Sequence, residues 1–182
     1  MMPAAPVFTT ERLTLRPFDD SDVPIYAAIN SDLEVMRYLG GQALSREETE
    51  GQMRGANRSF EAWGYGKLAI ERRADGVFLG MCGLSKEPWY PYDLELGWRL
   101  GREHWGNGYA TEAATAWRDY AFDKLDAPSV ISIADVPNRR SIAVMKRLGM
   151  TLDHEAELGE AGDTFLAVIY AMSAERYGQR RR

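Results

Sequence analysis

At 182 residues, with 45% hydrophobic and 27% charged side chains, the chain is long enough to bury about 70% of its unfolded surface in a single domain and too apolar for wholesale disorder. A formal net charge of −5 argues against a general nucleic-acid binder and is compatible with a cationic substrate. One cysteine, Cys82, excludes an intrachain disulfide, two histidines leave a zinc site short of its usual ligands, and no apolar run reaches membrane-spanning length. The start, Met1 to Pro6, has neither the basic nor the apolar region of a secretory signal, so a cytoplasmic, reduced setting is the expectation. The basic tail Arg180-Arg181-Arg182 reads as a solvated end.

In chain order, Glu11 to Phe18 alternates Leu13, Leu15 and Pro17 with Arg12, Thr14 and Arg16, the pattern of a first strand. Asp19 to Asp22 offers N-caps for a helix through Ile25, Ala28 and Ile29. Ser31 or Asp32 can cap a short helix that ends near Leu39, before Gly40-Gly41. Ser45-Arg46-Glu47-Glu48 is a capping box that starts a polar helix to about Trp63. Strands are expected at Tyr65 to Arg72, Val77 to Leu84 and Asp93 to Leu100, the first two joined as a hairpin at Ala74-Asp75-Gly76. Cys82 falls in the second of these as a packed thiol, and Gly97 interrupts the third as a bulge or close backbone contact. A helix from Ala110 to Asp123 has Ala113, Ala114, Trp117, Tyr120 and Ala121 at core spacing. A short strand at Val130 to Ala134 precedes a helix begun at Pro137-Asn138, buried through Ile142, Met145 and Leu148 and capped by Gly149. Strands near Thr151 to Leu158 and Thr164 to Ala171 follow, and a C-terminal helix begins at Ser173. The sum is one α+β domain with strands in excess and no internal repeat.

The segment from Asp93 to Phe122 is the most informative. A strand enters a loop with two close glycines, Gly106 and Gly108, and the loop opens directly into a helix. Small residues there let the backbone take positive φ and approach a ligand. The helix aims unpaired N–H groups and its positive dipole end at the same place, which suits phosphate or pyrophosphate. A P-loop would need Lys-Ser or Lys-Thr after the second glycine, and Tyr109-Ala110 stands there instead. A dinucleotide fingerprint finds Asp135 loosely placed as its ribose acid, yet the preceding strand alternates and no βαβ unit precedes it.

The order of these elements, with Leu96-Gly97-Trp98-Arg99-Leu100 leading into Trp105-Gly106-Asn107-Gly108-Tyr109-Ala110-Thr111-Glu112-Ala113, resembles the GNAT acetyltransferase superfamily. More narrowly it is similar to the branch that includes the RimJ and RimL ribosomal-protein N-terminal acetyltransferases. Thr10-Glu11-Arg12-Leu13-Thr14-Leu15-Arg16-Pro17 looks like that branch's opening strand, and Gly80-Met81-Cys82-Gly83-Leu84 like its third. Asn138 to Met150 looks like its second cofactor motif. Trp105 departs from the general superfamily pattern, which begins the phosphate loop with Gln or Arg; an aromatic there is common in the RimJ/RimL-like branch. The resemblance spans nearly the whole chain. It implies a single GNAT domain over 1–182, with a core of about 8–172. It also implies a mixed, mostly antiparallel sheet of six or seven strands, splayed at the cofactor site and flanked by about four helices.

The co-substrate implied is acetyl-CoA, with no metal. Its pantetheine arm would pair with backbone at Trp98, Arg99 and Leu100 as an added strand, and its pyrophosphate would rest on amides from Trp105 through Gly106, Asn107, Gly108 and Tyr109 to Ala110. Asn138 would hold the arm by hydrogen bonding, although Asn is equally a plain N-cap there. Lys146 or Arg147 either meets the ribose phosphate or forms a solvated helix face. Acyl transfer to an amine needs a base, oxyanion donors and an acid for the leaving thiolate, because an alkylammonium with a pKa of about 10 has no lone pair. Ser141, three residues after Asn138, is the candidate acid; a hydroxyl bonded to backbone in the first helical turn is the alternative. Glu95 is the candidate base, directly or through water, with Asp93 in reserve on the same strand face and a salt-bridged or solvated carboxylate as the other reading. A backbone N–H near Gly97 or Trp98 would serve the oxyanion. His104 is expected exposed, and His154 at the surface or in the core.

Trp63, Tyr65, Trp89, Tyr90 and Tyr92 could box an amine, or form a hydrophobic lid or a homodimer surface, with Met36, Tyr38 and Leu39 on an opposite wall. The acceptor is a primary amine, either a protein or peptide N-terminus or a small molecule. No nucleic acid or membrane is expected as partner. A CoA-binding sensor or assembly subunit without turnover is the alternative of a different class.

Overall fold

The computed structural model describes residues 8–160 and 163–180 of the chain, leaving aside the side chains of 92, 160 and 163. The Met1–Pro6 start, Arg181-Arg182 of the basic tail, and the Tyr92 side chain thus lie outside the described residues. The strands are β1 (Phe8–Thr9), β2 (Leu13–Arg16), β3 (Lys67–Arg72), β4 (Val77–Glu87), β5 (Tyr90–Leu100), β6 (Ser129–Asp135), β7 (Thr151–Glu160) and β8 (Asp163–Ser173). The helices are α1 (Val23–Ser31), α2 (Leu33–Met36), α3 (Arg46–Trp63), α4 (Tyr109–Asp123), α5 (Arg139–Leu148) and α6 (Ala174–Arg180). Residues 1–83 and 98–116 form one compact unit, and residues 84–97 and 117–182 a second.

In the first unit, β1 to β4 follow one another antiparallel, and the end of β5 lies beside β4. The expected hairpin is present, turning at Gly76 with φ of 70°. Its ladder skips Leu79: Ile70 faces Gly80, whereas Glu71 faces Phe78. Gly80 has φ of 141°, and a Cβ there would overlap the Arg99 carbonyl oxygen and lie 2.7 Å from the Leu100 Cα. A bulge and a close approach thus fall at Leu79–Gly80 of β4, where its backbone meets that of β5 at Arg99 and Leu100, and β5 continues as strand through Gly97.

Helices of this unit begin where side chains can satisfy their first amides. Ser45 and Glu48 form the expected capping box of α3, and Asp32 caps α2. Asp19 caps a 3-10 turn at Asp20–Asp22 that leads into α1. α1 buries Val23, Tyr26, Ile29 and Asn30, so Ile25 and Ala28 point to solvent, contrary to their apolar reading. Val23, Tyr26 and Ile29 join Phe18, Val35, Met53, Ala69, Phe78 and Met81 in one core, against which Trp105 packs. Met36 is 1% exposed and belongs to the interior, so it cannot wall an acceptor site; Leu39 is exposed and Tyr38 half-buried.

In the second unit the order is β5-β6-β8-β7, with β5 and β6 parallel and the other pairs antiparallel. The β5–β6 ladder consists of Leu94 opposite Val130 and Glu95 opposite Ile131. Beyond it the Ser132 hydroxyl reaches across to the Leu96 carbonyl oxygen at 2.6 Å, the side-chain link of a ladder that is opening. Trp89 occupies the turn before β5 and Tyr90 begins the strand, so the aromatic loop expected there is a hairpin end; Tyr side chains suit a pleated surface. The helical face read from Ala113, Ala114, Trp117 and Ala121 is fully buried, and Cys82 likewise, whereas Tyr120 is half-buried.

The fold is α+β with a mixed sheet, as expected, but the described residues form eight strands rather than six or seven and six α-helices rather than about four. The unanticipated strand is the two-residue β1; four-residue α2 and C-terminal α6 are the short helices expected in chain order after Asp32 and from Ser173. Among the described residues no helix is long and apolar enough to cross a membrane.

Candidate cofactor and catalytic site

In the first unit, the chain leaves β5 at Leu100, makes a 3-10 turn at Arg102–His104 and reaches the glycine loop. The Trp105 indole N–H donates to the Leu100 carbonyl oxygen at 2.9 Å, which fixes where the loop starts relative to the strand end. Gly106 and Gly108 have φ of 78° and 80°, the left-handed values that their sequence positions suggest.

The loop turns its carbonyls inward. Asn107 Nδ2 donates to the carbonyl oxygens of His104 at 3.1 Å and Trp105 at 3.0 Å, and the Asn107 carbonyl oxygen accepts from Arg12 Nη1 at 3.0 Å. Among the described residues, none accepts a hydrogen bond from the amides of Gly106 through Thr111; the first paired amide of the series is that of Glu112, to the Gly108 carbonyl oxygen at 3.0 Å. A run of unpaired amides at the start of the 15-residue α4 suits an anion in both geometry and dipole. These amides fit the pyrophosphate of CoA.

Glu112, in the first turn of α4, is a residue to which the sequence alone assigns no role. Its Oε1 accepts from the Thr10 hydroxyl at 2.6 Å and the Arg12 amide at 2.8 Å, and its Oε2 from Arg12 Nε at 2.7 Å. Burial alone would raise this carboxyl, but the hydrogen bonds from Thr10 and Arg12 and the guanidinium charge outweigh it and hold it below the ordinary 4.5. A carboxylate lowered on folding contributes stability above its unfolded value and loses it as pH falls through the folded one. The stability gap between wild type and Glu112→Gln is therefore expected to shrink as urea titrations move down through the carboxylate range. A gap that is constant with pH would refute the ion pair as its source.

The Arg99 side chain points to α1 and α3, where Nη1 donates to Asn30 Oδ1 at 2.7 Å and Gln52 Oε1 at 3.3 Å. His104, expected exposed, has a side chain only 12% exposed, beside Glu103 at 3.6 Å.

The second unit holds the candidate acid and base. Glu95 is half-buried, and its Oε2 accepts from the Ser85 hydroxyl at 3.1 Å. Glu87 Oε1 lies 2.9 Å from the same hydroxyl, so one proton serves two carboxylates. Asp93, the reserve base, accepts from the Ser129 hydroxyl. Asn138 caps α5 by accepting from the Ser141 amide at 3.2 Å, which is the plain capping role considered for it. Its Nδ2 has no partner among the described residues. The Ser141 hydroxyl is half-buried and also has none, so the backbone-bonded alternative is not what forms. Asp135 ends β6 three residues before the cap, and burial raises its carboxyl above the ordinary range.

Lys146 and Arg147 are exposed in the last turn of α5, where cations suit the helix dipole. His154 is at the surface, between the Tyr90 hydroxyl at 2.8 Å and Asp153 at 2.7 Å. Trp63 and Trp89 are exposed, and Tyr65 is half-buried. No group of three potential metal ligands occurs among the described residues.

The family model described as acetyltransferase (GNAT) domain matches residues 12–151. The uncharacterized protein YkkB of Bacillus subtilis (strain 168) is 32% identical over 151 residues, which cover 82% of this chain and 87% of that one. An acetyltransferase structure from Agrobacterium tumefaciens str. C58 superposes with a TM-score of 0.78 at 33% identity, covering 94% of this chain and 96% of that one. RimL, a ribosomal L7/L12 α-N-protein acetyltransferase in complex with coenzyme A, shares the fold at 22% identity with a TM-score of 0.74, covering 94% and 99%. With the matched model spanning well over half its length, the chain belongs to the acetyltransferase (GNAT) domain family and is an acetyl-CoA-dependent N-acetyltransferase.

Proposed function

We propose that this enzyme acetylates the amino terminus of a protein or peptide, with both substrates bound together and no covalent enzyme intermediate. The observation that carries the co-substrate side is the run of unpaired amides from Gly106 to Thr111 at the start of α4. The acceptor reading is supported by the RimJ/RimL-like motif order and by the α-amino activity named for RimL, a protein of the same fold. Acetyl-CoA supplies a thioester whose carbonyl carbon gains the amine nitrogen and loses sulfur.

The chain's residues manage the protons and the charge. Glu95 takes the proton of the incoming ammonium, directly or through water, so that the nitrogen lone pair is free to attack. Ser141 gives its hydroxyl proton to the departing thiolate and recovers the second proton that the nitrogen loses as the amide forms, while Glu95 releases its proton to solvent. A backbone N–H at Gly97 or Trp98 faces the oxyanion, and Trp98 and Leu100 offer backbone groups to the pantetheine arm. Asn138 keeps its oxygen on the helix cap, so its Nδ2 is the group left for the arm.

Thiol release from acetyl-CoA, measured over a panel of N-terminal peptides, polyamines and amino acids, tests the reading. Release confined to peptides with a free amino terminus is the expected result. Release with polyamines alone would replace the acceptor class. CoA binding without release across the panel would make the chain a CoA-binding module rather than an enzyme of this kind.

A further inference from the structure

The segment Thr10-Glu11-Arg12 matched a sequence motif without a function, and the structure places it against the glycine loop. We infer that Thr10, Arg12 and Glu112 form a clamp that holds the Gly106–Ala110 loop with its amides outward, making Arg12 a positioning residue for the pyrophosphate of the co-substrate. This rests on the acetyl-CoA reading above.

Three observations carry it. Both oxygens of Glu112 are taken by Thr10 and Arg12, across about a hundred residues of sequence, so the start of α4 is tied to the first strands rather than to its own neighbours. The same guanidinium donates to the Asn107 carbonyl oxygen at 3.0 Å and lies 4.7 Å from the Tyr109 ring centroid. It therefore touches the loop on both sides of Gly108. Finally, the turn that bears the clamp is itself held, because Arg73 Nη1 donates to the carbonyl oxygens of Thr10 at 2.9 Å and Glu11 at 3.0 Å.

The electrostatics point the same way. An anion at the start of α4 gains from the loop amides but is repelled by any carbonyl oxygen or carboxylate turned toward it. Both hazards are present, the Asn107 carbonyl in the loop and the Glu112 carboxylate in the first turn of α4, and one Arg12 side chain occupies both. Removing Arg12 would release the carbonyl and leave the carboxylate uncompensated, two changes that weaken anion binding together. The Arg12 side chain is 44% exposed, so the clamp holds the loop without forming part of the core.

Calorimetric titration of wild type, Arg12→Ala and Glu112→Gln with CoA and with pantetheine, which lacks the pyrophosphate, tests the clamp without any acceptor. Arg12→Ala is expected to weaken CoA binding by about tenfold or more, the scale of one lost charge-assisted contact. Pantetheine binding should be unchanged, while the thermal midpoint falls modestly with the lost Arg12–Glu112 ion pair. Glu112→Gln, which keeps the shape but not the charge, should weaken CoA by less. Equal losses for CoA and pantetheine would show general damage to the fold and overturn the clamp, as would CoA affinity indifferent to Arg12→Ala. Failure of the wild type to bind CoA would instead overturn the acetyl-CoA reading, and the clamp with it.

Discussion

Glu95→Gln is expected to lower kcat by about 10²–10⁴ with CoA affinity unchanged, the scale of a positioned general base. The substitution is close to isosteric. Its side-chain carbonyl can still accept from the Ser85 hydroxyl, which lies 3.1 Å from Glu95 Oε2, so the local packing has no reason to change. What is lost is the capacity to hold a proton. The α-amino group of the acceptor, with a pKa of about 8, is mostly protonated at neutral pH, so a chain without a base has only the minor neutral fraction to work with. The defect should therefore ease as pH rises toward the amine's own pKa, a signature that a packing defect lacks. Asp93→Asn is the control: its carboxylate is engaged by Ser129 at the start of β6. If Asp93→Asn abolishes turnover and Glu95→Gln does not, the base assignment moves by two residues.

Gly80→Ala should be the most damaging single methyl group that can be added near the site. Gly80 has φ of 141°, which strains any L side chain, and the added carbon would overlap the Arg99 carbonyl oxygen. Backbone strain and overpacking together are expected to cost roughly 2–6 kcal/mol. For a chain of this size that is a fall in Tm of about 5–20 °C, readable by circular dichroism. The backbone that must move, Arg99 and Leu100, is the strand end proposed to pair with pantetheine. CoA affinity should fall in whatever fraction remains folded. A variant with wild-type Tm would mean that β4 and β5 do not approach as closely as the bulge at Leu79 requires.

The parts of this fold legible in sequence are those decided within a few residues. Ser45 and Glu48 cap α3 because a hydroxyl and a carboxylate three positions apart satisfy each other's amides. Gly76 turns the β3–β4 hairpin, and Gly106 and Gly108 bend the anion loop, because only local backbone freedom is at issue. The buried face of α4 follows from helical spacing alone. Periodicity misled where a helix lies on a core whose direction is set elsewhere: Ile25 faces solvent although apolar, and Met36 is interior although read as a site wall.

The choices between distant partners needed the tertiary structure. Glycine in a strand signals a close approach without naming what approaches it, and the tertiary structure places Gly80 against the backbone of Arg99 and Leu100. Glu112 has no sequence neighbour that announces its use; its partners, Thr10 and Arg12, lie about a hundred residues away and meet it only once the first strands are paired. Thus the chain's own local chemistry determined that a glycine loop opens α4. Long-range packing, which no short window of sequence contains, decided what holds that loop in place.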